Sequence, residues 1–176
     1  MSQVKWFERQ FDFTITQNIF PGILERLMGT PARLEEKLRS IPPAQQLFRT
    51  DNSWTIKENI GHLSDLEPLW QQRFNDILEG KEKLSVTDLQ NTRTTTANHD
   101  DVPTEELLQR FRQIRQQTID MLSTVDESVI FRSALHPRLL TPMRTLDHFM
   151  FVADHDDHHL ARITELAKRY NEANRP

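Results

Sequence analysis

The stretch TIKENIGHLSDLEPLWQQRFNDILEG, residues 55–80, carries the start signal, the periodicity and the stop signal of one long helix. Thr55 and Glu58 have the spacing of a capping box, in which each side chain bonds the other residue's backbone N–H. Gly80 is typical of a residue that ends a helix, because glycine adopts a positive φ without strain. Pro68 predicts a kink inside the helix, since it lacks a backbone N–H. The apolar positions predicted to face the core are Leu63, Leu66, Trp70, Phe74 and Ile77.

Before this stretch, the 3.6-residue apolar periodicity of an amphipathic helix begins near Ile19. Gly29 is predicted to close this first helix. Thr30 and Pro31 then resemble the start of a second segment, because threonine is a good N-cap and proline suits the first helical position. The run Ile41-Pro42-Pro43 is predicted to stop that segment.

Two further helices are predicted after residue 80. One runs from about Pro103 to Ser123, and the other begins at Thr141-Pro142 and ends near Tyr170. The intervening residues 81–102 form a long polar connection without apolar periodicity, and 125–140 are predicted to be irregular. Four long helices joined by long crossover connections predict an all-α fold, a four-helix bundle, in a single domain over residues 1–176.

Composition narrows the class of protein. The 176 residues contain no cysteine, which excludes disulfides, thiolate metal sites and a cysteine nucleophile. The net charge of −4 offers no general attraction for nucleic acid or anionic lipid. The N-terminus lacks the apolar run of a signal peptide, and no stretch is apolar for long enough to span a membrane. We therefore expect a cytoplasmic protein that binds neither nucleic acid nor membranes.

Histidines carry the clearest chemical signal. His155 and His159 lie one helical turn apart and project side by side, so two imidazoles can reach one ion, whereas His158 is turned away. His62 lies on or beside the face of its helix that points into the predicted bundle. Three imidazoles from two facing helices would form a half-shell with open positions. The pattern alone leaves two interpretations open, a metal site and a set of solvated or core histidines.

Two motifs resemble signatures of the DinB/YfiT-like superfamily. The first is WTIKENIGHLSDLE, residues 54–67, followed by Arg73; the second combines RTLDH, residues 144–148, with HDDHH, residues 155–159. The resemblance implies a four-helix bundle, often a homodimer, with a divalent metal ion held by three histidines. On this sequence, the implied ligands are His62, His155 and His159, and the expected ion is Zn²⁺ or Ni²⁺. Two departures from the family pattern are Pro68, just after the first ligand, and Arg162, where glutamine is frequent.

The resemblance also implies an activity. Related proteins resemble metal-dependent hydrolases or thiol-dependent transferases that act on a small molecule, so the expected partners are such a substrate and a low-molecular-weight thiol. A non-catalytic alternative remains open, in which the ion stabilises the bundle or the protein is a stress-responsive binding module. An open coordination position would favour an enzyme, because structural zinc sites have four protein ligands. The sequence identifies no catalytic base.

Neighbouring residues receive structural or secondary interpretations. Asp156 is predicted either to accept an imidazole N–H or to be a half-exposed acid. His148 lies roughly 10 Å along the helix axis from His155, too far to share its ion. Arg73 is predicted to form a buried ion pair. The remaining polar and aromatic residues are assigned as follows: Glu58 a cap, Glu67 a salt-bridge partner, Trp54 and Trp70 core aromatics, and His99 and His136 residues of the connections without a recognisable pattern.

Overall fold

The computed structural model of the protein describes residues 4–50 and 53–175, which are mostly helical. The long helices are α1 (Phe20–Leu38), α3 (Ile56–Leu78), α5 (Thr104–Ser123) and α7 (Thr145–Ala173). The short ones are α2 (Pro43–Gln46), α4 (Thr92–Thr96) and α6 (Glu127–Ile130), and 3₁₀ turns occupy Trp6–Glu8 and His99–Asp101. Strands β1 (Ser133–Leu135) and β2 (Pro142–Arg144) pair antiparallel. The four long helices confirm the predicted all-α bundle.

The bundle has a diagonal arrangement. Helices α1 and α3 each pack against both α5 and α7, so α1 lies diagonally opposite α3 and α5 lies diagonally opposite α7, whereas α3 and α5 are neighbours. Long connections make this arrangement possible, since a short loop would place consecutive helices side by side. None of the described helices is both long and apolar enough to span a membrane.

Helix α3 forms as its sequence signals predict. Thr55 Oγ1 accepts a hydrogen bond of 3.0 Å from the Glu58 backbone N–H, and Glu58 Oε2 accepts one of 2.7 Å from Thr55. Gly80 follows the helix with a φ of 70°. Pro68 lies inside the helix. The local signals of capping and periodicity therefore determine this element.

Helix α1 differs from its prediction, because it continues through Gly29 and Pro31 to Leu38. Proline removes the backbone hydrogen bond to the residue four positions earlier, here Leu27. The carbonyl oxygen of Leu27 instead accepts a hydrogen bond of 3.2 Å from Arg115 Nη1 on α5. A side chain from another helix thus satisfies the group that proline leaves without its helical partner, and the helix does not have to end.

The start of α7 also differs from its prediction. Pro142 begins β2 instead of the helix, and α7 starts at Thr145. β1 supplies a partner for the backbone of these residues, with Ala134 opposite Met143. Arg144 then caps the helix together with Asp147, which accepts its backbone N–H at 3.0 Å. The prediction was wrong because the β1 segment has no period-2 pattern that announces a strand.

A buried ionic cluster ties the four long helices together. Arg115 on α5 donates hydrogen bonds to Glu67 on α3, to Asp156 on α7 and to the Leu27 carbonyl on α1. Thr30 on α1 also donates to Asp156, at 2.9 Å. Burial disfavours the charged guanidinium, but the two carboxylates outweigh it and raise the pKa of Arg115. The cluster fixes α7 relative to its neighbours, and Glu67 is a salt-bridge partner as predicted.

Candidate metal centre

Three buried histidines converge between α3 and α7. His62 belongs to α3, and His155 and His159 belong to α7. One ring nitrogen of each lies within 4.8 Å of the corresponding atoms of the other two. The ring centroids are 4.5 Å apart for His155 and His159, 4.8 Å for His62 and His159, and 5.2 Å for His62 and His155. The structure thus brings together the three residues that the sequence analysis singled out.

The hydrogen bonds of Asn59 determine which nitrogen of His159 faces the cluster. Asn59 Nδ2 donates to the Thr55 carbonyl at 2.7 Å, so Oδ1 is the atom that lies 2.8 Å from His159 Nδ1. An amide oxygen only accepts, and therefore Nδ1 carries the imidazole proton. In the neutral ring, the lone pair is then on Nε2 of His159, which lies 3.2 Å from Nε2 of His155.

A threonine hydroxyl determines which ring nitrogen of His62 faces the cluster. Thr94 Oγ1 donates its single proton to Asp65 Oδ2 at 2.8 Å, and the same oxygen lies 2.9 Å from His62 Nδ1. Because that proton is already used, Oγ1 must accept from Nδ1–H of His62, which leaves the lone pair on Nε2. Asp65 Oδ2 also receives a hydrogen bond of 2.9 Å from His99 Nε2.

Gly61 makes the contact with His99 possible. A Cβ at position 61 would lie 2.3 Å from Cγ of His99, closer than any real Cβ contact. The sequence pattern predicts no role for Thr94 or His99, because both lie in the connection without periodicity. The placement of Asp65 three residues after His62 was the only local signal of this support.

Burial keeps these imidazoles in the neutral form. Desolvation lowers the pKa of His62 to about 4, with Asp65 opposing the shift and His99 reinforcing it. Desolvation and the neighbouring imidazoles also hold the pKa values of His155 and His159 well below the usual range. A metal ion binds neutral imidazole, so near neutral pH no proton has to leave before an ion can bind.

The donor set fits a divalent transition-metal ion. Two adjacent ligand nitrogens at about 2.0–2.1 Å from one ion are separated by roughly 2.8–3.4 Å in octahedral or tetrahedral geometry. The 3.2 Å between Nε2 of His155 and Nε2 of His159 lies in this range. Among the described residues, the cluster contains three ligands and no fourth. This is the composition of an open site.

The imidazoles form one wall of a cavity of about 200 Å³. Trp54 lies over the cluster, with ring centroids 4.5 Å from His62 and 6.1 Å from His159. Trp70 approaches His155 edge-on at 5.6 Å. From the N-terminal segment, Trp6 approaches His155 at 5.0 Å. Trp70 therefore lines both the site and the core, Trp54 is half-buried beside the site and not in the core as predicted, and Trp6 is a wall residue that no sequence pattern indicated.

Of three neighbouring residues, His148 matches its predicted role, whereas Asp156 and Arg73 do not. Asp156 is fully buried and bonds Arg115 and Thr30, not an imidazole. His148 Nε2 bonds the Trp70 carbonyl at 3.0 Å, in keeping with a core residue outside the cluster. Arg73 is buried, but no ion pair with it is found among residues 4–50 and 53–175, so the predicted buried ion pair is wrong.

Fold and histidine cluster together fit a metal-binding four-helix bundle. The sequence model of the DinB superfamily matches residues 26–163, most of the chain, and the protein belongs to that superfamily. Among solved structures, it is similar to YfiT from Bacillus subtilis, described as "a probable metal-dependent hydrolase with an unusual four-helix bundle topology". The match has a TM-score of 0.80 at 19% identity and covers 93% of this chain and 94% of YfiT. No curated protein sequence gives a significant match.

Proposed function

We propose that the protein is a metal-dependent hydrolase of a small molecule, with a divalent ion held by His62, His155 and His159. Zn²⁺ and Ni²⁺ are the proposed ions, because both accept imidazole ligands. The observation that carries the proposal is the convergence of three neutral imidazoles on the wall of a cavity. The likeness to YfiT, itself described as a probable metal-dependent hydrolase, supports the same class of reaction.

The charge of the donor set favours a reactive anion at the site. Three neutral imidazoles leave the charge of a divalent ion uncompensated, and no carboxylate joins the cluster among the described residues. Such an ion acts as a Lewis acid and favours the deprotonated form of water or of a thiol. The chain itself supplies the walls: Trp54 and Trp70 exclude water on two sides and position a substrate against the imidazoles.

Thiol transfer is the second candidate activity. The uncompensated charge that favours hydroxide favours a thiolate equally, so a low-molecular-weight thiol is the proposed co-substrate of this alternative. A purely structural ion is the non-catalytic alternative. It requires a saturated coordination sphere, which the three-ligand cluster does not provide from the described residues.

Metal analysis and spectroscopy test the proposal. Purified wild-type protein should contain one divalent ion per chain, and the double variant His155→Ala/His159→Ala should contain none while keeping its helical circular dichroism. His158→Ala is the matched control, because this neighbouring histidine is outside the cluster, and it should keep the ion. Full occupancy in the double variant would show that the ligands are wrongly assigned.

A cobalt-substituted form then tests whether the site is open. Its visible spectrum should change when acetohydroxamate is added, since an open position accepts an exogenous ligand. A spectrum that ignores the added ligand would favour the structural ion. Ester substrates with and without added thiol separate hydrolysis from thiol transfer. The homodimer expected from the family is a further proposal, which light scattering coupled to size-exclusion chromatography tests directly.

A further inference from the structure

Arg73 lines the same cavity with a guanidinium group that makes few hydrogen bonds. Its side chain is 1% exposed, and Nε donates a hydrogen bond of 2.9 Å to the Ser85 carbonyl. Within residues 4–50 and 53–175, buried Nη2 has no hydrogen-bond partner. Nη1 lies 3.4 Å from Nε2 of His136. A buried guanidinium with unused donors is costly, because a desolvated N–H without an acceptor loses its hydrogen bonds to water.

The contact between Arg73 and His136 brings two donors together. Nδ1 of His136 accepts backbone N–H groups from Arg138 at 3.2 Å and from Leu139 at 3.1 Å. The proton of the neutral imidazole is therefore on Nε2, which cannot accept from Arg73. Desolvation and the nearby Arg73 and Arg138 lower the pKa of His136 to about 4 and keep it neutral. Both N–H groups consequently lack an acceptor among the residues that the structure describes.

No ion pair between this guanidinium and a carboxylate is found in the described part of the chain, although the charge of Asp76 acts on Arg73 and raises its pKa against the effect of burial. Asp76, one turn further along α3, accepts from Lys81 at 2.8 Å, from Gln72 at 3.0 Å and from the Ser85 backbone at 2.7 Å. Desolvation lowers the pKa of Arg73 only to about 10, so it stays charged at neutral pH. The carboxylate that lines the cavity, Asp88, is exposed and accepts the backbone N–H groups of Gln90 and Thr92.

The cationic end of the cavity faces the imidazoles across an aromatic side chain. The guanidinium carbon of Arg73 lies 5.7 Å from the ring centroid of Trp70. The centroid of the same ring lies 5.6 Å from that of His155. The distance from the guanidinium carbon of Arg73 to the His155 ring centroid is therefore at most the sum of these two distances. Leu66 and Phe151 line the cavity with Trp70. One elongated small molecule can therefore contact both ends.

We propose that the substrate carries a carboxylate at the end opposite its reacting group, and that Arg73 and His136 bind this carboxylate. The inference rests on the proposed function, since it places the reacting group at the three histidines. Its two oxygens match the two kinds of donor, the Nη groups of Arg73 and Nε2–H of His136, and its charge matches a guanidinium that forms no ion pair with the described residues. The apolar middle of the cavity accommodates an aliphatic or aromatic spacer.

Calorimetry with a matched pair of probes tests the proposal. Suberic acid monohydroxamate carries a metal-binding group at one end and a carboxylate at the other, and its methyl ester lacks the charge. On the zinc-loaded protein, the acid should bind about tenfold or more tightly than the ester. Arg73→Gln should remove this preference, and Arg73→Lys should retain part of it. Arg112→Gln, which removes an exposed arginine outside the cavity, should leave the preference unchanged.

Equal binding of acid and ester by the wild-type protein would overturn the carboxylate site and leave the proposed function intact. Failure of both probes would instead count against the open metal site, and a second measurement then tests Arg73 independently. Hexanoate at millimolar concentration should raise the melting temperature of the metal-free protein, and Arg73→Gln should abolish the rise. A melting temperature that hexanoate leaves unchanged in the wild-type protein would overturn the inference. Circular dichroism verifies that each variant is folded.

Discussion

Arg115 on α5 holds Asp156 on α7 through hydrogen bonds of 2.6 Å from Nη1 to Oδ2 and 3.1 Å from Nη2 to Oδ1. Both side chains are buried. Asp156 directly follows His155, so this pair fixes the rotation of α7 that turns His155 and His159 towards α3. The ionic cluster of the core and the histidine cluster of the cavity thus share one helix turn.

Arg115→Met should destabilise the protein strongly. The substitution leaves Asp156 and Glu67 buried without their cation, and removing one member of a buried ionic cluster costs about 3–5 kcal/mol. Urea unfolding followed by circular dichroism measures the loss. Arg112→Met on the same helix is the control, because Arg112 is exposed and should contribute less than about 1 kcal/mol. Equal midpoints for the two variants would contradict the structural role of the cluster.

Thr94→Val should weaken metal binding with little effect on the fold. Valine has nearly the shape of threonine but cannot accept from Nδ1–H of His62 or donate to Asp65. Loss of such an outer hydrogen bond lowers metal affinity by about 10–100-fold. Competition with a chelator of known affinity measures the change. Thr96→Val is the control, since the bonds of this exposed hydroxyl to the described residues are to the local backbone. The assignment of the His62 tautomer fails if both variants bind metal as the wild type does.

Gly61→Ala should destabilise the protein, although alanine normally favours a helix over glycine by about 0.5–1 kcal/mol. The new Cβ would lie 2.3 Å from the ring of His99, so His99 must move and its bond to Asp65 is lost. We expect a net loss of about 1–3 kcal/mol in the free energy of unfolding. Gly29→Ala in α1 meets no atom within 4 Å and should stabilise the protein instead. Stabilisation by both substitutions would show that the His99 contact is dispensable.

His148 should contribute to unfolding in acid. Desolvation, with a smaller effect of Arg73, lowers its pKa from 6.5 to about 3. The unfolded state therefore binds one more proton than the folded state between these values. The free energy of unfolding should fall as the pH is lowered from about 6.5 towards 3, by up to about 1.4 kcal/mol for each pH unit.

His148→Gln should reduce the slope of the free energy of unfolding against pH by the contribution of one proton. Urea unfolding at a series of pH values in the presence of a chelator measures it without a contribution from bound metal. Leu146→Ala, a buried substitution on the same helix without a titratable group, should lower stability by a similar amount at every pH and keep the wild-type slope. An unchanged slope in His148→Gln would show that this residue does not carry the effect.

Sequence patterns predicted the elements whose signals are local. The Thr55 and Glu58 capping box begins α3, and the (i, i+4) spacing places His155 and His159 on one face of α7. The predictions failed where a distant group intervened. Pro31 does not interrupt α1 because Arg115 satisfies the Leu27 carbonyl, and no feature near Pro31 announces this.

What the sequence by itself determined is therefore the helical bundle, its superfamily and the three converging histidines, because helix geometry translates residue spacing directly into direction. Only the tertiary structure decided how the histidines are supported and what else faces the cavity. Thr94 and His99 reach α3 from an aperiodic connection, Trp6 comes from the N-terminal segment, and His136 comes from the connection between β1 and β2. Contacts of this kind depend on how loops pack against completed helices, and no periodicity along the chain encodes that packing.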